Sequence, residues 1–207
     1  MADVQNAVAR LIPRLGAENL AGLTIAAEDE LYEWADEALQ RLARKLGLFV
    51  ARAPALTLAG GSPTLAAPAR HLSTIHVSWD IGGGDLRPLR PISTAELEAK
   101  DNRWPTRSGN PAYFTQDQQG TETLLIYKIP AASQTLAAVY HEHPAAITSG
   151  APAFTGPAAL EDYLGWRMLQ AARAKESDEA MPEVGEHAAR MADLYEGVFA
   201  SYWGTAQ

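Results

Sequence analysis

Apolar residues recur every three or four positions at the two ends of the chain and about every second position in between. Helix-like flanks therefore enclose a strand-like middle. Near the start, Val4, Ala7, Val8, Leu11 and Ile12 make one helical face over residues 3–12, which Pro13 and Gly16 interrupt. The segment GAENLAGLT then reads as a linker. The stretch AAEDELYEWADEALQRLARKLG is the clearest helix, with Leu31, Trp34, Ala35, Ala38, Leu39, Leu42 and Leu46 on its apolar stripe. Glu28, Asp29, Glu30 and Glu33 crowd its first turns, and Arg41, Arg44 and Lys45 its last, which complements the helix dipole. Gly47 falls where a left-handed C′ residue belongs.

From 48 to 147 the chain is rich in Gly, Pro, Thr and Ser and the period shortens. HLSTIHVSWDIGGGDLRPLRPIS places Leu72, Ile75, Val77 and Trp79 before a Gly82-Gly83-Gly84-Asp85 turn and Leu86 and Leu89 after it, which predicts a hairpin. TETLLIYKIP and QTLAAVYHEHP read as a second strand pair joined by AASQ, each strand stopped by a proline, Pro130 or Pro144. STAELEAKDNRW predicts a short helix capped by Ser93 or Thr94. RWPTRSGNPAYF, residues 103–114, has neither period and reads as an ordered connection. In it Pro105 and Pro111 restrict the backbone, and Gly109 can adopt a positive φ where a turn requires one. Trp104, Tyr113 and Phe114 would cover the open face of a small sheet.

Helical spacing returns after 147. TGPAALEDYLGWRMLQAARAKES has Thr155 as N-cap, Pro157 in the first turn, and a stripe of Leu160, Leu164, Met168 and Ala171 or Ala172. In MPEVGEHAARMADLYEGVFASYW, Val184, Ala188, Met191, Tyr195, Val198 and Tyr202 share one face. The predicted fold is α+β. Residues 1–47 and 148–207 would form an antiparallel α-helical bundle, and 48–147 a small antiparallel β module inserted in it.

Of the 207 residues, 47% are hydrophobic and 20% charged, enough for a packed core. The net charge of −8 argues against a nucleic-acid binder unless a local basic patch exists. No cysteine is present, which excludes disulfides and thiolate chemistry. The N-terminus lacks the apolar core of a signal peptide, and no apolar run approaches the roughly 18 residues of a membrane span, so a soluble protein is expected.

Candidate chemistry is sparse. His141 and His143 share one strand face, but no third metal ligand accompanies them, and they read as exposed strand residues. His71 and His76 gain nothing from their spacing. GGGD lacks the Lys-Ser/Thr of a phosphate loop and reads as a hairpin turn. Glu28-Asp29-Glu30 and Glu161-Asp162 sit in first helical turns, where the dipole explains them. Trp34 and Trp166 read as helix-packing residues. The stripe Tyr195, Phe199, Tyr202 and Trp203 is open to two readings, core and partner-binding tail. Nothing marks a catalytic, cofactor or metal site.

Trp104, Gly109, Pro111 and Tyr113 form a W-x4-G-x-P-x-Y segment. It is followed by a strand ending at Pro130, a strand carrying Tyr140 with Pro144 beyond it, and long C-terminal helices. In this order the elements resemble the head–tail adaptor (connector, or neck) proteins of tailed bacteriophages, from about Leu31 to Trp203. One departure is FTGP, where the family carries "leP" before its third helix. The resemblance implies a structural protein without catalysis or cofactor. Twelve copies would ring the lower face of the portal protein, extend the DNA channel without binding DNA specifically, and present a platform for a tail or tail-completion (nozzle) protein. The protein would sit at the head–tail junction of the virion, after assembly in the host cytoplasm. It also implies a docking tail, for which Phe199, Tyr202 and Trp203 are the candidate portal anchors. Other readings remain open at this point: another neck or tail-completion protein, or a small soluble α+β ligand-binding domain or enzyme.

Overall fold

The computed structural model describes residues 2–11, 28–82, 84–116, 123–148, 153–154, 156–175 and 182–203. The predicted linker GAENLAGLT and the predicted cap Thr155 lie outside them. The chain is mixed α+β and divides into two compact units, residues 1–48 with 144–207, and residues 49–143.

The first unit is helical. A two-residue strand β1 (Ala2–Asp3) pairs antiparallel with β10 (Ala153–Phe154) and leads into α1 (Val4–Leu11). The long helices are α2 (Glu28–Leu46), α4 (Ala159–Lys175) and α5 (Pro182–Trp203). On α2 the buried stripe is Leu31, Tyr32, Ala35, Ala38, Leu39, Leu42 and Ala43, while Trp34 and Leu46 are half-buried. Gly47 ends the helix at φ 58°, its N–H donating to the Ala43 carbonyl, which is the left-handed C′ geometry. Helix α4 begins at Ala159, two residues past Pro157, whose carbonyl accepts from the Leu160 N–H. It packs against α1, α2 and α5, and accordingly buries residues on more than one face, among them Leu160, Tyr163, Leu164, Met168, Leu169 and Ala172.

Helix α5 corrects the predicted stripe. Its buried residues are Ala188, Ala192, Glu196 and Phe199, whereas Val198 and Tyr202 are exposed and Tyr195 is half-buried. Two alanines, a carboxylate and Phe199 form the inward face, a pattern that hydropathy alone does not mark.

The second unit is two four-stranded sheets. One runs β2 (Val50–Leu58), β9 (Gln134–Glu142), β4 (His71–Asp80), β5 (Leu86–Pro88). The other runs β3 (Thr64–Ala66), β8 (Thr123–Tyr127), β7 (Tyr113–Gln116), β6 (Arg90–Pro91). The predicted hairpin of β4 and β5 is present, with Gly82 at φ 103° and Gly84 at φ 83° in its turn. The second predicted strand pair is not. β8 lies between β3 and β7, and β9 lies between β2 and β4, so the AASQ connection carries the chain from one sheet to the other. Leu58, Leu65, Val77, Phe114, Leu124, Ile126 and Leu136, drawn from both sheets, meet in one core with Trp79 and Tyr140. Trp79 Nε1 donates to Gln134 Oε1 at 2.9 Å, so the buried indole is satisfied. Strand β2 is an edge. Pro54 and a register shift between Ala53 and Leu56 interrupt its ladder, which blunts it against further strand pairing.

All strand pairs of this unit are antiparallel except β6 with β7, which are parallel. A parallel pair cannot be closed by a tight turn and needs a crossover. That crossover holds α3 (Thr94–Lys100) and a 3-10 turn at Trp104–Thr106. Ser93 caps α3 in a full capping box: its Oγ accepts from the Glu96 N–H while Glu96 accepts from the Ser93 N–H.

Candidate functional site

The segment 103–114 is more regular than its sequence suggests. Trp104–Thr106 is a 3-10 turn with Pro105 in its first positions, and Tyr113 and Phe114 open β7. Phe114 turns into the core, whereas Tyr113 lies on the other face, in register with Tyr127 of β8. The two rings are tilted at 5.9 Å between centroids. Trp104 is half-buried and Pro111 buried. Gly109 has φ 147°, and its N–H donates to the Ile129 carbonyl at 2.8 Å. A side chain there would press on the Lys128 methylenes, at 2.8 Å from Cδ.

Asp101, which sequence reasoning did not single out, holds this segment in place. Its carboxylate accepts from Arg107 Nε at 2.9 Å, from the Arg103 N–H at 3.0 Å and from the Tyr127 hydroxyl at 3.1 Å. The Arg107 hydrogen bond comes first among the causes that hold the Asp101 carboxyl below the ordinary aspartate range. Burial, then the neighbouring carboxylate, pushes the Tyr127 phenol up. Beside it, Lys100 Nζ donates to the Tyr113 hydroxyl at 3.0 Å and sits 4.8 Å from the ring centroid. That contact raises the Lys100 ammonium and lowers the Tyr113 phenol. Of the other marked residues, Pro130 is buried and its carbonyl accepts from the Gly61 N–H. Tyr140 is buried with its ring 5.6 Å from that of His71, and Pro144 is buried.

The three candidate docking residues separate. Phe199 is 2% exposed and packs on Tyr163 and Tyr195, at 6.1 and 6.2 Å between centroids. Tyr202 is 75% exposed. Trp203 ends the helix, and its side chain lies outside the described residues. Val198 and Tyr202, with Ala159 and Phe199, line an almost wholly apolar hollow of about 350 Å³. Leu194 is also exposed on the same helix.

A second feature missed by sequence reasoning is a charged cluster within the helical core. Glu196 accepts from Lys45 Nζ at 2.5 Å, from Arg167 at 2.5 Å and from the Tyr163 hydroxyl at 3.0 Å, while Arg167 also meets Asp193 at 2.9 Å. Burial alone would raise the Glu196 carboxyl, but its three donors outweigh burial and hold it at about 2. Burial pushes the Tyr163 phenol up to about 12. Burial works against the Arg167 cation, yet its contacts with Tyr163 and Glu196 leave its pKa raised.

His141 and His143 are half-buried, with His141 Nδ1 buried and unpartnered. His71 meets Thr74 Oγ1 at 2.8 Å and His76 meets Ser78 Oγ at 2.7 Å. Trp166 stands edge-on to His187 at 5.5 Å. Among the described residues, no group of three or more histidines and carboxylates could hold a metal ion, and no helix is long and apolar enough to cross a membrane.

The helical unit thus ends in an exposed apolar stretch of α5, and the sheet unit is organised by a buttressed loop. The family model of the SU10 adaptor protein matches residues 1–206, and the chain belongs to this family of structural phage adaptors. The family is not an enzyme family, and its members are virion components. No curated protein matches the chain.

Proposed function

We propose that the chain is the head–tail adaptor of a tailed phage, with twelve copies forming a ring below the portal that extends the DNA channel and carries the tail attachment platform. The helices of residues 1–47 and 148–207 act as an antiparallel bundle and form the ring wall. The sheet unit faces outward or toward the tail-completion protein. DNA passes without specific binding, in keeping with the net charge of −8. Assembly takes place in the host cytoplasm.

The observation that carries the docking role is the apolar end of α5. Tyr202 and Val198 stand exposed around a hollow whose floor is the buried Phe199. Aromatic anchors beside a ready apolar pocket are the arrangement that concentrates binding energy at protein interfaces. Phe199 belongs to the helical core, so it supports this surface from beneath, and truncating the chain at 199 would damage the fold as well as the contact. The test is therefore substitution. Tyr202→Ser with Val198→Ser should abolish co-sedimentation with the portal protein while helical content stays at the wild-type value. Portal binding that survives both changes refutes the docking role. Electron microscopy of the wild-type protein on the portal should show the twelvefold ring; a lone, small particle that never joins the portal would refute the adaptor geometry.

A further inference from the structure

We infer that the outer face of the second sheet, around Tyr113, is a contact surface for a second copy of this chain and receives the acidic ridge of that copy's α2. The inference rests on the ring reading above and names a surface through which its copies would meet.

Charge is divided unevenly along the chain. Residues 49–143 carry eight basic and eight acidic side chains, so the whole net charge of −8 falls on the helical unit. Within the balanced unit the cations gather. Arg90 stands in register beside Tyr113, and Tyr113 beside Tyr127. Lys100 lies over the Tyr113 ring; in the adjoining turn the Arg107 guanidinium pairs with Asp101, and the backbone N–H of Arg103 donates to the same carboxylate. Asp101 is fully engaged by Arg107, the Arg103 N–H and Tyr127. Arg90, Lys100 and Arg103 are exposed and have no carboxylate partner among the described residues. The result is a group of exposed cations beside an aromatic base, with the adjoining Asp101 carboxylate already engaged by Arg107.

A complementary surface exists on the same chain. Asp29, Glu33 and Glu37 follow one another at intervals of four along α2. All three are exposed, and none makes an ion pair among the described residues. They form a ridge of like charge about 12 Å long. The other polyanion at hand is a DNA backbone. A patch of three cations on a chain of net charge −8 makes a weak and steeply screened phosphate site. A neighbouring copy instead offers a matching carboxylate ridge at equal stoichiometry, and one such contact per copy is the head-to-tail arrangement that closes rings.

Charge reversal tests this. The variants are Arg90→Glu with Arg103→Glu, and Asp29→Lys with Glu33→Lys. Self-association is measured by sedimentation velocity at low salt and by native mass spectrometry with the portal protein present. Wild type should associate in a salt-sensitive manner, and each variant alone should associate about tenfold more weakly. An equimolar mixture of the two variants should recover the association, because each then offers the charge the other needs. Unchanged melting temperatures confirm that both variants fold. Variants that associate as wild type does, or a mixture that recovers nothing, overturn this surface and leave the ring reading standing. Wild type that stays monomeric with and without portal overturns both. Binding of a short duplex DNA that is lost with Arg90 and Arg103, while self-association is unchanged, assigns the patch to phosphate and overturns the second copy as its occupant.

Discussion

Replacing Glu196 by Gln removes one charge from the helical core and nearly nothing else. The carboxylate lies between α2, α4 and α5, with Lys45, Arg167 and Tyr163 donating to it. The side chains of Glu196 and Arg167 are 4% and 10% exposed, so this pair is buried. Losing one partner of such a pair costs about 3–5 kcal/mol, because the other charge is left behind in a poor solvent. Two features reduce that figure. Lys45 is 55% exposed and turns to water, which limits its share to roughly 0–1 kcal/mol. The Gln carbonyl still accepts a hydrogen bond, and Asp193 still faces Arg167, although it is 69% exposed. The expected loss is about 2–4 kcal/mol, read from urea unfolding followed by helical circular dichroism. Lys45→Ala should cost less than about 1 kcal/mol in the same assay. The pH dependence has a definite sign. Glu196 is held at about 2 in the folded protein against an ordinary 4.5, so its contribution is complete above 4.5 and is lost as the pH falls toward 2. That fall amounts to roughly 3 kcal/mol at most and should be flattened in Glu196→Gln. A Gln variant within about 0.5 kcal/mol of wild type at neutral pH, with the same acid profile, would refute a net stabilising role for the charge.

Gly60→Ala should destabilise the sheet unit by about 1–3 kcal/mol, because a Cβ there would meet the Ala131 carbonyl oxygen at 2.8 Å and the Ala132 backbone at 3.0 Å. Chemical denaturation checks it, and an unchanged midpoint would mean that the two turns part freely. Ser93→Ala should cost about 0.5–2 kcal/mol through loss of the α3 cap, with Ser93→Thr recovering most of it. Asp101→Asn should leave the sheets folded but speed hydrogen exchange at Gly109 and Ile129, the amides that tie the 107–109 segment to the 129 position. Unchanged exchange at both would show that Asp101 does not hold the loop.

What could be read from the sequence follows from what each pattern encodes. The α2 stripe was legible because Leu31, Leu39 and Leu42 are large, apolar and turned toward the helical core. Of the predicted α5 stripe Ala188 is buried, but the inward face continues through Ala192, the Glu196 carboxylate and Phe199, while Val198 and Tyr202 lie outside. Hydropathy alone does not separate an exposed apolar residue from one in the core. Alternation in β9 shows which positions face the interior but carries no information on neighbours, so the short link between β8 and β9 suggests a hairpin although it crosses between sheets. Trp104, Gly109, Pro111 and Tyr113 stood out by type and spacing. Asp101 did not, since an Asp after a short helix is an ordinary stop signal, and its role depends on Arg107 and Tyr127 arriving from six and twenty-six residues away. The same holds for Glu196, whose donors lie on two other helices. Residues that act through their own chemistry announce themselves locally. Those that act by gathering distant donors become visible only once the chain has brought the donors to them, and both hubs of this protein are of that second kind.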